Sequence, residues 1–134
     1  MIVFAWNYRC LGQTTAICDL RALLRLSSPN CVILMETKIN SNSMNRLLVQ
    51  LNFPFNVYVP PIGLAGGLCV AWREGIDMEP ITTTKNVISL LVFSNLGSPP
   101  WLFSVIYGPT SYVAKRLFWE DILGIRQIVS LVLG

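Results

Sequence analysis

The sequence predicts an α+β fold in which strand–helix–strand units come first, consecutive strands follow and a helix comes last. Short apolar runs bounded by proline, glycine and asparagine predict buried strands. Two segments in the first half repeat their apolar residues at helical spacing. The strand-like runs after residue 55 follow one another with no helical pattern between them. The length of 134 residues fits one domain of common size.

The first half begins with a predicted crossover unit. Ile2–Ala5 predicts a short strand, and residues 31–36 predict the second. Between them, a hydroxyl of Thr14 or Thr15 can cap a helix that runs to about Ser27. The order strand–helix–strand predicts a right-handed crossover.

A second helix is predicted to begin at Ser41 or Ser43 and to end at Asn52-Phe53-Pro54. Its apolar residues recur at i, i+3, i+4 and i+7, which indicates one buried stripe. The stripe consists of Met44, Leu47, Leu48 and Leu51.

The second half is predicted to be mostly strands, and its last two strands are expected to form an antiparallel pair. A third helix is predicted to begin at Ser111 and to bury Leu117, Phe118 and Ile122. The predicted strands are Phe55–Val59, Leu68–Trp72, Ile76–Thr83, Val87–Phe93 and Trp101–Tyr107.

The composition is unusually apolar. Charged residues make up 13% of the chain, hydrophobic residues 53%, and the mean hydropathy is +0.55. Such a chain buries strands on both faces or exposes apolar surface. A membrane span is not expected, because proline and glycine interrupt both long uncharged stretches, Leu47–Trp72 and Asn86–Ala114. The net charge of +3 is compatible with a polyanionic partner without demonstrating one.

The four cysteines, Cys10, Cys18, Cys31 and Cys69, are predicted to be reduced thiols in or near the core. No two of them form a Cys-x-x-Cys pair, and the chain has no histidine. This pattern argues against a zinc site and against a disulfide framework.

Polar residues follow three of the predicted strands: Trp6-Asn7, Glu36-Thr37-Lys38 and Tyr107-Gly108-Pro109. In open α/β sheets, ligands bind at the carboxyl ends of strands. A carboxylate placed there can hold Mg²⁺ through oxygen. The spacing alone, however, favours a surface ion pair between Glu36 and Lys38 or a nearby arginine.

The same segments carry a family resemblance. Trp6–Gly12, Glu36-Thr37-Lys38, Gly66–Trp72 and Tyr107-Gly108-Pro109 occur in that order, each beside an apolar run. Together they resemble the N-terminal part of an endonuclease/exonuclease/phosphatase domain, most of all that of plant LINE-type (non-LTR) retrotransposons. The resemblance covers residues 1–123 and implies a partial two-sheet α/β sandwich of the deoxyribonuclease-like type, truncated at its C-terminal side. Residues 124–134 are an apolar tail of uncertain origin.

The resemblance also implies roles for individual residues. Glu36 matches the metal-ligating carboxylate, with Mg²⁺ as the cofactor. Asn7 and Tyr107 match catalytic residues, and the phenol of Tyr107 would orient the scissile phosphate. Arg9 and Lys38 are expected to contact phosphate, with DNA as the partner. The side chains of residues 7, 36 and 107 are therefore expected to meet at a common end of the folded layers.

Two motifs of the family have no match in this chain, namely an Asp-x-Asn pair and a later Ser-Asp-His segment. In the family these supply the general base and the residues that stabilise phosphate. The sequence thus predicts a degenerate phosphodiesterase fragment that is inactive alone. The alternative is a non-catalytic interaction module that self-associates through an exposed sheet.

Overall fold

A computed structural model describes residues 1–7, 12–63, 66–93 and 99–107, together with the backbone of a strand at 129–133. The chain divides into two compact units, Met1–Ile76 and Asp77–Gly134. Each unit contains one four-stranded sheet.

The first unit packs two helices on a mixed sheet. The parallel pair β1 and β2 confirms the predicted crossover arrangement, while β4 runs antiparallel to both of its neighbours. The strand order across the sheet is β1-β2-β4-β3. The elements of this unit are β1 (Val3–Asn7), α1 (Thr14–Ser27), β2 (Cys31–Met35), α2 (Ser41–Gln50), β3 (Phe55–Val59) and β4 (Leu68–Trp72).

The core of the first unit lies between the helices and one face of the sheet. Leu20 and Leu24 of α1 and the predicted stripe of α2 bury their side chains there. Alternate residues of the central strands face them, among them Val32 and Leu34. Every residue of β2 and of β4 is buried, which explains why these strands are continuously apolar rather than alternating.

The ends of several elements differ from the sequence prediction. Strand β1 begins at Val3 and extends through Asn7, and β2 ends at Met35, before Glu36. The residue that caps α1 is Gln13, which makes no side-chain hydrogen bond, so the predicted threonine cap is wrong.

Helix α2 begins at Ser41 as predicted, but its cap is Asn40. The side-chain oxygen of Asn40 accepts a hydrogen bond of 2.8 Å from the backbone N–H of Ser43. Asparagine is among the best capping residues, because its short side chain reaches a free N–H of the first turn.

The second unit contains strands β5 (Asp77–Thr83), β6 (Val87–Phe93), β7 (Trp101–Tyr107) and β8 (Val129–Leu133), in that order across the sheet. The predicted antiparallel pairing of β6 with β7 is confirmed. Two buried serines on these strands, Ser89 and Ser104, satisfy each other through a hydrogen bond of 2.8 Å between their hydroxyls. Strand β8 lies within the apolar tail and pairs in parallel with β7. The predicted third helix lies outside the described residues.

Two of the cysteines are core thiols. Cys31 and Cys69 are buried and unpaired, while Cys18 is exposed and also unpaired. Burial raises the pKa of Cys31 to about 12 and that of Cys69 further still. Cys10 lies outside the described residues. Within the described ranges, no helix is long and apolar enough to cross a membrane.

Candidate metal- and phosphate-binding edge

Asn7 and Glu36 stand at neighbouring strand ends on one edge of the first sheet. Asn7 is the last residue of β1 and is paired in register with Met35, the last residue of β2. Glu36 follows Met35 directly. Adjacent strands lie about 4.8 Å apart, so the parallel pairing brings an amide and a carboxylate to the same edge. Asn7 is exposed and Glu36 is half-buried.

The backbone around Glu36 has an unusual conformation. Glu36 and Lys38 both have a φ of +55°, in the left-handed region that residues with a Cβ rarely adopt. Thr37 between them is 1% exposed, whereas Lys38 is exposed. Each such residue costs about 1–3 kcal/mol, and such residues cluster at functional sites. The surrounding contacts must therefore hold this turn in place.

Tyr58 supplies the first of these contacts. Its hydroxyl lies 2.7 Å from the Oγ1 of Thr37 and donates to the backbone carbonyl of Ile39 at 2.5 Å. The tyrosine comes from β3, the outer strand beyond β4, so its hydroxyl reaches the turn across the sheet edge. Burial raises the pKa of Tyr58, against the opposing effect of its hydrogen bond with Thr37. Tyr58 thus ties the turn to the sheet on both sides of Lys38.

Gly67 supplies the second contact that holds the Glu36 turn. Its φ is +103°, and a Cβ at this position would lie 2.2 Å from the Oγ1 of Thr37 and 3.2 Å from its backbone nitrogen. No side chain fits there. Beside it, the backbone N–H of Lys38 faces the carbonyl of Gly66 at 3.4 Å. The two glycines therefore let the segment before β4 approach the Glu36 turn closely.

Sequence reasoning found Glu36, Asn7 and Lys38 at this edge but missed Tyr58. Nothing in the local pattern distinguishes Tyr58 from any other aromatic residue of a strand, because its role depends on a hydroxyl contact with a residue 21 positions earlier. Glycine at positions 66 and 67 was the available signal for a close approach of two backbones. Arg9 lies outside the described residues.

Tyr107 ends β7 in the second unit and is half-buried. Asn86 fixes its backbone: the N–H of Tyr107 donates to the Asn86 carbonyl at 2.7 Å, and the Asn86 amide nitrogen donates to the Tyr107 carbonyl at 2.9 Å. The tyrosine is therefore firmly placed at a strand end. Its meeting with Asn7 and Glu36 stays a prediction.

The residues at the Glu36 edge fit a magnesium ion. Mg²⁺ prefers oxygen ligands and is commonly held by one or two carboxylates while it keeps several waters. The carboxylate of Glu36 and the amide oxygen of Asn7 are ligands of that kind. Among the described residues, no group of three or more Asp, Glu, His or Cys side chains gathers that could hold a metal ion. The described part of the edge thus offers one carboxylate and one amide oxygen.

No family model matches the chain, and no curated protein matches it in sequence. Solved structures do match. The catalytic domain of human Nocturnin, in a structure with bound sulfate, has a TM-score of 0.63 at 10% identity over 98% of this chain and 63% of that chain. The 3′-5′ exonuclease NExo from Neisseria meningitidis has a TM-score of 0.64 at 14% identity, over 98% and 57%.

The endonuclease domain of TRAS1, a telomere-specific non-LTR retrotransposon, gives a TM-score of 0.58 at 11% identity, over 97% of this chain and 57% of that domain. A second NExo structure holds a product DNA hairpin. The two-sheet α/β architecture of this chain is therefore the endonuclease/exonuclease/phosphatase fold. The chain spans between 57% and 63% of the length of these three proteins.

Proposed function

We propose that this chain forms the metal- and phosphate-binding edge of a Mg²⁺-dependent phosphodiesterase domain of retrotransposon origin, with DNA as its substrate. The observation that carries the proposal is the pairing of Asn7 with the residue before Glu36, at the ends of two parallel strands. The locked Glu36 turn supports it, because strain of this kind persists where a site needs a fixed geometry. The DNA hairpin held by NExo, which shares the fold, supports the choice of substrate.

In this proposal each residue of the edge has a defined task. Glu36 and Asn7 would hold Mg²⁺, which offsets the negative charge that builds on a phosphate as it is attacked. Lys38, exposed beside them, would attract the phosphate as a point charge. Arg9 is proposed to add a second phosphate contact, and Tyr107 to orient the scissile phosphate through its hydroxyl.

We further propose that these 134 residues bind DNA without cleaving it at an appreciable rate. The sequence contains no histidine and no Asp-x-Asn pair. Loss of a general base typically lowers a rate by about 10²–10⁴-fold, and loss of electrostatic stabilisation lowers it by about 10²–10³-fold again.

The test is a pair of measurements on the pure chain and on Glu36→Gln, with Glu79→Gln as the charge-matched control because Glu79 is exposed on β5. Calorimetry should show Mg²⁺ binding that weakens at least about tenfold in Glu36→Gln, because loss of even a group that supports a ligand costs about 10–100-fold. Binding should be unchanged in Glu79→Gln. Supercoiled plasmid should stay intact with Mg²⁺ present. Equal Mg²⁺ binding by all three proteins would contradict the metal site. Plasmid nicking that Glu36→Gln abolishes would contradict the inactive state.

A non-catalytic, self-associating module is the second candidate, and the edge strand β3 favours it. Phe55 on this strand is 45% exposed although it stacks on Trp72, and Ile62 just beyond the strand is 75% exposed. Unprotected edges invite pairing with another chain. Sedimentation velocity would show concentration-dependent dimers without DNA or Mg²⁺ if this candidate is right, and a monomer at all concentrations if it is wrong.

A further inference from the structure

A groove of about 590 Å³ lies at the end of the first unit opposite to the Glu36 edge. Arg73 lines it and follows β4, and its backbone N–H donates to the carbonyl of Asn30, the residue before β2, at 3.0 Å. Glu36 stands at the other end of β2. Six residues of extended chain span roughly 20 Å. The groove is therefore separate from the metal- and phosphate-binding edge.

Three arginines converge on this groove from different parts of the chain. Arg21 and Arg25 come from successive turns of α1, and Arg73 comes from the turn after β4. None of the described residues lining the groove is acidic. The ends of α1 and α2 also lie here, and each helix C-terminus carries about half a negative charge. The three guanidinium groups thus retain about two positive charges beyond what the helix ends offset.

Two of the arginines are already held in position. The Nη2 of Arg21 donates to the side-chain oxygen of Gln50 at 2.9 Å. The guanidinium carbon of Arg73 lies 4.9 Å from the centre of the Phe53 ring, within the range of a cation–π contact. A side chain that is already ordered loses less entropy when it binds a ligand.

The guanidinium of Arg73 has one N–H donor without an acceptor. Its Nε is buried and has no hydrogen-bond partner among the described residues. A buried donor without a partner is costly, and more so when the group is charged. Arg73 lines the groove, so an anion bound there would lie beside this incompletely paired guanidinium and offset its charge.

We propose that this groove binds a phosphate ester of about nucleotide size. A phosphate monoester carries close to two negative charges near neutral pH, which matches the charge left on the arginines, whereas a carboxylate carries only one. The planar guanidinium groups suit phosphate oxygens. Leu24 and Leu51 line the same groove and give an apolar surface to the rest of the ligand. The volume lies in the range of small-molecule sites. The proposal does not depend on the metal- and phosphate-binding edge.

The test measures binding of adenosine monophosphate, inorganic phosphate and acetate to the full chain by calorimetry in low salt without Mg²⁺. We expect adenosine monophosphate to bind tightest and acetate not to bind. In the double variant Arg21→Gln/Arg25→Gln, the affinity for adenosine monophosphate should fall at least about tenfold, since each contact to a charged group is a strong one. Both arginines are exposed, so the fold should survive, as circular dichroism will show.

Two single variants make the test specific. Arg46→Gln removes an arginine of α2 that is exposed and lines a different pocket, and it should leave binding unchanged. Glu36→Gln should also leave it unchanged, which separates this site from the proposed metal site. Equal affinity of wild type and double variant, or an equal loss in Arg46→Gln, would overturn the proposal. The proposal would also be overturned if a single-stranded oligonucleotide bound at these arginines while adenosine monophosphate did not bind. That result would assign the groove to a nucleic acid strand.

Discussion

At the scale of single residues, two features hold the Glu36 turn in place. One is the hydroxyl of Tyr58, and the other is the absence of a Cβ at Gly67. Thr37 is buried between two residues with left-handed backbone, and Tyr58 and Gly67 contact it from two sides. The backbone of Glu36 is therefore held from both directions. A fixed backbone would help Glu36 to act as the proposed metal ligand.

The first prediction concerns Gly67→Ala. The new Cβ would overlap the Thr37 hydroxyl and would sit on a left-handed backbone, so we expect the free energy of unfolding to fall by about 3 kcal/mol. Gly75→Ala is the control, because Gly75 has a similar φ of +93° with no atom within 4 Å of the added Cβ. It should cost about 1 kcal/mol from the backbone alone. Urea unfolding measures both. Equal losses would contradict the close approach of Gly67 to Thr37.

The second prediction concerns the bond between Tyr58 and Thr37. Tyr58→Phe leaves the Ile39 carbonyl without its donor and the Thr37 hydroxyl without its acceptor, and it should lower the free energy of unfolding by about 1–3 kcal/mol. It should also weaken Mg²⁺ binding at Glu36, because the turn loosens. In a double-mutant cycle with Thr37→Val, the two losses should be non-additive by at least about 0.5 kcal/mol. Additive losses would mean that the two hydroxyls do not act together.

At the scale of elements, β2 and β4 form the buried centre of the first sheet and carry its two core thiols. Cys31 and Cys69 lie on these adjacent strands, and burial keeps both thiols neutral. In the unfolded chain the thiol of Cys31 would ionise near its ordinary pKa of 9.0, against about 12 in the fold. A raised pKa of this kind stabilises the fold below pH 9, and the contribution is lost as the pH rises toward 12.

The third prediction follows from that shift. Between pH 9 and 11 the free energy of unfolding should fall with increasing pH, and Cys31 should account for about 1.4 kcal/mol per pH unit of the slope. Cys31→Ala should remove this share, whatever it does to the stability at pH 7. Cys18→Ala is the control, because Cys18 is exposed and unpaired. Denaturant titrations at several pH values give the slope. A slope unchanged by Cys31→Ala would place that thiol outside the core.

For the complete chain, the proposed function assigns roles to Asn7, Glu36 and Tyr107. Asn7 and Glu36 belong to the first unit and Tyr107 to the second. The convergence of these three side chains is the strongest test of the proposed function.

The fourth prediction is energetic coupling between Glu36 and Tyr107. In the presence of Mg²⁺, Glu36→Gln and Tyr107→Phe should each weaken binding of a short DNA duplex, and their effects should be non-additive by at least about 0.5 kcal/mol, as for residues that share a partner. The control pair is Glu36→Gln with the distant Arg25→Gln, and the effects of these two substitutions should add. Fluorescence anisotropy measures the affinities. Additive effects in both pairs would separate Tyr107 from the Glu36 edge.

Local pattern was sufficient to place most elements. The periodic stripe of α2 and the apolar runs of β3, β4, β6 and β7 gave bounds that agree with the structure, because burial of a regular element imposes its period on the sequence. The ends of β1 and β2 were less well predicted. Asn7 belongs to β1 because it pairs with Met35 of β2, and β2 ends there, before Glu36. The residues of one strand alone do not reveal where its pairing with a neighbour stops.

Local patterns were enough to predict the order of elements from β1 to β7, the buried stripes and the polar residues at the strand ends, since each depends on residues close together in the chain. Strand β8 was not predicted, because only its pairing with β7 marks it as a strand. Packing of the folded chain brings Tyr58 and Gly67 against the Glu36 turn and places Arg21, Arg25 and Arg73 around one groove. Apart from Arg21 and Arg25, which share one helix, these residues lie 21 to 52 positions apart, and their meeting depends on the packing of the first unit.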